Sequence, residues 1–273
     1  MSSVSQSGPK WSERYGPWAL ITGASDGIGH AMASELAARG LNVILVARRG
    51  NLLDILAADL AKNFGVNTRV LIADLTDSAD VSRVAEQTDG TDIGLLVASA
   101  GFGTSGRIQD TNLSDELSMI DLNCKAVFAL TKNFADRFAR RGRGGIVLFS
   151  SIVAFQGVPN ASNYAATKAY IQTLTEGLRT ELSARNVDIL SCAPGPVRSG
   201  FAARSDLRMG SATSPATVAR ETLNALGRKT TVWPGFLSKI LIGSLALLPR
   251  FARTAIMGRI MAGMTKHQYE GKT

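Results

Sequence analysis

ALITGASDGIGHAMASELAARG, residues 19–40, runs from an unbroken apolar stretch through Gly23, Gly27 and Gly29 into a helical pattern. A strand apolar at every position, rather than at alternate ones, is expected to be covered on both faces, as in a parallel sheet. Glycines allow a tight turn and close backbone approach. The N–H groups opening the next helix are then free to face a pyrophosphate. Gly23, Ser25, Asp26, Gly27, Ile28 and Gly29 are therefore candidate dinucleotide contacts. Three turn glycines without a ligand are the ordinary alternative, and the strand–loop–helix setting is what favours the ligand.

The same unit recurs. Short apolar or β-branched runs at 19–22, 43–47, 69–73, 93–98, 145–149 and 187–192 read as strands, with a weaker one at 230–233. Helical patterns at 28–39, 52–63, 78–87, 115–140 and 164–185 lie between them. This alternation predicts an α/β fold. It is a doubly wound parallel sheet of Rossmann type in three α/β/α layers, forming a single domain over 18–233. An N-terminal extension, 1–17, precedes it, and a basic, apolar C-terminal helical extension, 234–273, follows. In such folds ligands sit beyond the carboxyl ends of the strands.

Composition narrows the function. Apolar residues make up 45% of the 273 and the mean hydropathy is +0.09, enough for a core. Cys124 and Cys192 cannot form a disulfide framework and read as core fillers. With only His30 and His267, no metal site is expected. The N-terminal MSSVSQSGPKWSERYGPW lacks an apolar h-region, and no stretch has the roughly 20 apolar residues of a membrane span. A cytoplasmic setting, with room for peripheral membrane association, is the expectation. Beyond residue 227, eight Lys and Arg face Glu270 alone, seven of the net +8. Such a tail points to an anionic partner; nucleic acid is not expected, because no binding motif accompanies the charge.

The second strand, in NVILVARRG (42–50), ends in Arg48 and Arg49 with no carboxylate to accept from a ribose 2′-OH. Guanidinium groups suit the 2′-phosphate of NADP, so NADP(H) is favoured over NAD(H), with Arg48 ahead of Arg49. Further along, NYAATKAY (163–170) sets Tyr164 and Lys168 one helical turn apart on one face. An ammonium beside a phenol favours the phenolate and would make Tyr164 a better proton donor near neutrality. Singly, Tyr164 reads as packing and Lys168 as a solvated charge; together they are a candidate proton donor and the cation that tunes it.

With these motifs in place, the chain resembles the short-chain dehydrogenase/reductase family from about Trp18 to about Phe201. TGASDGIG matches the family's cofactor loop. Asp74 in IADL, with Leu75 beside it, matches the acidic position near the adenine. ASAG, with Ser99, Ala100 and Gly101, stands where most members have Asn-Asn-Ala-Gly, which implies loss of two side chains that brace the central strand. Asn123 in DLNCKAVF matches the family's asparagine, which implies a water held in line with Lys168. Ser151 in LFSSIVAF matches the serine that orients the substrate oxygen. PGPVRS, with Pro194, Gly195, Val197 and Ser199, matches the loop on the nicotinamide side. The resemblance also implies that Lys168 holds the nicotinamide ribose. It implies a homodimer or homotetramer, paired through the helices at 115–140 and 164–185. Asp26 stands where many NADP-preferring members carry Lys or Arg.

Residues 197–215 are small and polar, suited to a mobile lid over substrate. In the extension, Ile256, Met257, Ile260, Met261 and Met264 form one apolar stripe. It reads as an interfacial helix on anionic membrane, the wall of a lipid-binding cleft, a subunit contact, or internal packing. The branch resembled acts on long-chain 3-oxoacyl thioesters or hydroxysteroids. The expected substrate is a small-molecule hydrophobic carbonyl or alcohol, interconverted as ketone and secondary alcohol by a carbonyl reductase of lipid metabolism. The competing reading is a non-catalytic dinucleotide sensor or scaffold.

Overall fold

The computed structural model describes residues 11–208 and 210–270. The first strand, β1 (Trp18–Thr22), buries successive residues on opposite faces. Ala19 and Ile21 join one core, and Leu20 joins the other. The strands that follow are β2 (Asn42–Ala47), β3 (Thr68–Ile72), β4 (Ile93–Ala98), β5 (Gly144–Phe149), β6 (Val187–Cys192) and β7 (Thr231–Val232). All pair in parallel in the order β3-β2-β1-β4-β5-β6-β7. The seven expected strands are all present, the weakest being two residues long.

The helices are α1 (Trp11–Tyr15), α2 (Gly27–Ala38), α3 (Gly50–Phe64), α4 (Ser78–Gln87), α5 (Leu113–Ile120), α6 (Val127–Arg141) and α7 (Ser162–Ser183). Then come α8 (Phe201–Arg204), α9 (Pro215–Ala225), α10 (Phe236–Ala246) and α11 (Arg250–Thr265). One face of the sheet packs residues of α2, α3 and α9; the other packs α4, α6 and α7. Parallel strands with crossover helices leave both faces covered, which is why the strands carry no polar alternation.

One expectation changes. The helix expected over 115–140 is interrupted: between α5 and α6 the turn Asp121–Ala126 is a π-helix. A wide turn of this kind shifts the facing of the side chains after it, and such turns gather at functional sites. Residues 11–17, part of the expected N-terminal extension, pack against the domain. Tyr15 is buried, and its hydroxyl donates to Asp188 at 2.7 Å at the start of β6. Arg14 donates to the same carboxylate at 2.7 Å. Residues 1–10 and 271–273, parts of both expected extensions, lie outside the described residues.

Candidate active site

The strand order reverses between β1 and β4, which are neighbours although β2 and β3 intervene in sequence. Crossovers leave in opposite directions there, so a crevice opens beyond the carboxyl ends of these strands. A cleft of about 760 Å³ lies there. All the cofactor residues expected from sequence border it, together with Ser151, Tyr164 and Lys168.

The glycine loop has the shape that a dinucleotide needs. A Cβ on Gly29 would lie 2.2 Å from the Gly23 carbonyl oxygen, so only glycine lets the helix start this close to the strand. Gly23 and Gly27 have φ of +68° and +54°, in the left-handed region that glycine favours. The Asp26 carboxylate caps α2, accepting from Gly27 N at 2.6 Å, and also accepts from Gly200 N at 3.2 Å. It thereby joins the cofactor loop to the loop beyond Ser199.

At the end of β2 the two arginines diverge. Arg48 pairs with Asp74 at 3.5 Å, both about half exposed. Arg49 donates to the Ser25 hydroxyl at 3.0 and 3.2 Å, reaching over the glycine loop. Burial alone would raise the Asp74 carboxyl, but hydrogen bonds from Thr76 and the Arg48 guanidinium hold it below the usual carboxylate range. The lost asparagine bracing at 98–99 is replaced: the Ser99 hydroxyl donates to the Thr22 carbonyl, and Ala100 N donates to Thr22 Oγ1 at 3.0 Å. β1 and β4 remain tied at the cleft by side chains of a different kind.

Ser151 follows β5, and Tyr164 and Lys168 project from one face of α7. The Lys168 ammonium donates to the Phe149 carbonyl at 2.9 Å and lies 5.7 Å from the centre of the Tyr164 ring. Desolvation pushes Lys168 down to about 8. Tyr164 has an edge on the cleft and is half-buried, yet the protein around its hydroxyl raises the phenol well above its ordinary value, the Ser151 hydroxyl offsetting part of this. Desolvation, rather than the charge of Lys168, therefore governs the phenol in this structure. Burial likewise pushes the Cys192 thiol up to about 12, in keeping with a core filler.

Asn123 does not border the cleft. It lies behind it in the π turn and is buried. Its Nδ2 donates to the Phe102 carbonyl at 2.8 Å and to Thr167 Oγ1 at 3.1 Å, and its Oδ1 accepts from Phe102 N at 3.1 Å. Both amide protons are committed to the protein. A Cβ on Gly101 would approach Asn123 Oδ1 to 3.0 Å and Lys168 Nζ to 3.5 Å, so this glycine permits their close arrangement.

The far half of the cleft is apolar. Met257, Ile260, Met261 and Met264 line it from α11, Leu237 and Leu241 from α10, with Phe201 from α8 and Leu207 from the segment after α8. The sequence stripe at 256–264 is thus a cleft wall that also packs on Val158, Ala161 and Ala165. Leu237, Leu241, Phe201, Leu207 and Arg204 were not legible as site residues. Only tertiary packing brings the Phe201 ring to 5.4 Å from Tyr164 and the Arg204 guanidinium to 4.1 Å over Phe102.

The loop expected to be a mobile lid is tied down. Ser205 Oγ donates to the Gly103 carbonyl at 3.0 Å, and Ser105 Oγ donates to the Ser205 carbonyl at 2.6 Å. Gln268 Nε2 donates to Ser105 Oγ at 2.8 Å and to the Asp206 carbonyl at 2.9 Å, while His267 meets Asp206 at 2.9 Å. The C-terminal turn straps the loop to the segment after β4.

The doubly wound sheet brings the glycine cradle and Ser151, Tyr164 and Lys168 together at its switch point. The chain belongs to the short chain dehydrogenase family, whose model matches residues 17–209. It is 31% identical to a 7beta-hydroxysteroid dehydrogenase of Clostridium sardiniense, over 83% of this chain and 88% of that one. It is 33% identical to a very-long-chain 3-oxoacyl-CoA reductase of Phaeosphaeria nodorum, over 83% of this chain and 66% of that one. A solved short-chain dehydrogenase from Sphingobium yanoikuyae in complex with NADPH superposes with a TM-score of 0.76. The two chains are 30% identical, and the match covers 86% of this chain and 97% of that one.

Proposed function

We propose that the protein interconverts a bulky hydrophobic ketone and its secondary alcohol with NADP(H), Tyr164 serving as general acid and base. One observation carries this reading. Ser151, Tyr164 and Lys168 stand where the glycine-cradle half of the cleft meets its apolar half. A sensor or scaffold would have no chemical use for them there.

The nicotinamide, when bound, supplies the hydride. The Tyr164 hydroxyl donates its proton to the carbonyl oxygen as that oxygen gains charge, and the Ser151 hydroxyl donates a hydrogen bond to the same oxygen. Lys168, held near 8, can exchange a proton near neutral pH and so return one to the phenolate. Asn123 acts from behind the cleft as a positioning residue, holding Phe102 and the Thr167 turn of α7. The apolar far wall takes the body of the substrate. The steroid and long-chain acyl substrates named for the two relatives are of this kind.

Arg48, Arg49 and the Ser25 hydroxyl form a cationic corner suited to a 2′-phosphate. The NADPH complex of the Sphingobium relative supports the same choice. Arg48→Ala and Arg49→Ala should each weaken NADPH binding by about 10- to 100-fold, the worth of a charge-assisted contact, and NADH binding by less than about 2-fold. Fluorescence titration with both cofactors checks this; equal losses for the two would refute the phosphate assignment. A homodimer through α5, α6 and α7 is part of the proposal, supported by Leu117, Phe128 and Tyr170, all exposed on those helices.

The reaction is tested by incubating purified protein and NADPH with ketones graded in size and polarity. Turnover should rise with apolar bulk; oxidation of NADPH by small polar ketones alone would overturn the substrate assignment.

A further inference from the structure

The apolar stripe that the sequence offers as a membrane contact faces inward, and a different set of residues faces out. Along α10, Ser238 and Leu245 are buried and Leu237 and Leu241 line the cleft. The opposite side carries Phe236, Ile240, Gly243 and Leu247, at i, i+4, i+7 and i+11, one continuous helical stripe. Phe236 is 79% exposed, Ile240 49% and Leu247 90%, and Phe251, just past the turn into α11, is 78% exposed. Four large apolar side chains this open, within sixteen residues of chain, are not what scattered surface exposure produces.

The segment that carries them bears charge of one sign. Between Glu221 and Glu270 the sequence has seven Lys and Arg and no carboxylate. Lys239 and Lys266 are paired with those two boundary glutamates, and the Arg253 guanidinium donates to the Phe155 carbonyl. Arg250 and Arg259 are exposed, and among the described residues neither pairs with a carboxylate. No helix among the described residues is long and apolar enough to cross a membrane, so contact would be with its surface.

We infer that the outward face of α10 and the start of α11 dock on an anionic lipid surface. Phe236, Ile240, Leu247 and Phe251 enter the headgroup–acyl boundary, and Arg250 and Arg259 meet lipid phosphates. Apolar insertion flanked by cations is the arrangement that holds peripheral helices at such interfaces. A second copy of the chain is a poorer fit, because two such faces would oppose like charges. The exposed apolar residues of α5, α6 and α7 already offer a pairing surface. The cleft opens beside this face: Leu237, 44% exposed, and Ile260, 40% exposed, belong both to its lining and to the surface. A lipid-dissolved ketone could pass from the bilayer to the cleft along them. That route rests on the proposed substrate class; the docking does not.

The test is flotation of the full-length protein with phosphatidylcholine vesicles, with and without phosphatidylglycerol, with light scattering on the same samples. The protein should float with the anionic vesicles and stay behind with the zwitterionic ones. A variant carrying Phe236→Ser, Ile240→Ser, Leu247→Ser and Phe251→Ser should lose flotation while keeping its turnover of a water-soluble ketone. Arg250→Gln with Arg259→Gln, a milder change that leaves the apolar face intact, should weaken partition roughly 30-fold, from about tenfold or less per cation. Equal partition to both vesicles, or unchanged flotation of both variants, overturns the proposal. So does a parent that fails to float while light scattering shows the serine variant dissociating, which would make the face a subunit contact. Loss of ketone turnover with flotation intact would count against the proposed reaction and leave the docking standing.

Discussion

Tyr164→Phe should lower kcat by about 10²- to 10⁴-fold, the contribution of a positioned proton donor, and leave the NADPH Kd within about 2-fold. The change removes one oxygen and keeps the ring, so the 5.4 Å contact with Phe201 and the packing of α7 on its neighbours should survive. The loss should fall on kcat and on kcat/KM alike, because the proton is needed only as the carbonyl oxygen becomes charged. Steady-state rates with a turned-over ketone, beside cofactor titration, provide the check. A variant turning over at the native rate would remove Tyr164 from the chemistry altogether. Native rates with a weakened cofactor would make it a binding group only.

The second large effect concerns Lys168. Its value falls from 10.5 to about 8 because burial penalises its charged form. Below about 8 the group is protonated in both the folded and the unfolded chain. Between about 8 and 10.5 the unfolded chain holds a proton that the folded one has released, so its contribution to stability rises with pH across that window. Relative to the parent, Lys168→Met should lose this rise in thermal melts taken from about pH 8 to about pH 10, a range in which the raised Cys192 thiol contributes an opposing fall to both proteins. Turnover should drop by about 10²-fold or more. A merely structural lysine would lower the melting temperature by a similar amount at each pH. An unchanged slope would therefore refute the assignment of a buried, titrating amine.

Strands such as β1, β2, β4 and β5 were readable from the chain because strands covered on both faces are nearly all apolar, and the limits of all seven lie within a residue or so of the expected ones. The glycine cradle was equally readable, since its demands are local: positive φ at Gly23 and Gly27 and no room for a Cβ at Gly29. What periodicity could not supply was direction. It showed an apolar stripe at 256–264 but not that the stripe faces a cleft, and it missed the outward stripe at 236–247 because α10 is apolar on nearly every side. The π turn at Asn123 has no sequence signature; in it a buried amide meets the backbone of Phe102 across the fold, a contact that spacing along the chain does not show. The strapped loop at 205–208 likewise depends on partners about 60 and 100 residues away along the chain.

The bond of Tyr15 to Asp188 has a practical corollary. It fixes α1 beneath the amino ends of β4, β5 and β6, at the opposite pole of the sheet from the cleft. A fluorophore placed on α1 itself, at the exposed Ser12, therefore sits at the pole opposite the cleft. A label on the turn that carries His267 and Gln268 would crowd the strap, so surface-plasmon or single-molecule designs belong on α1.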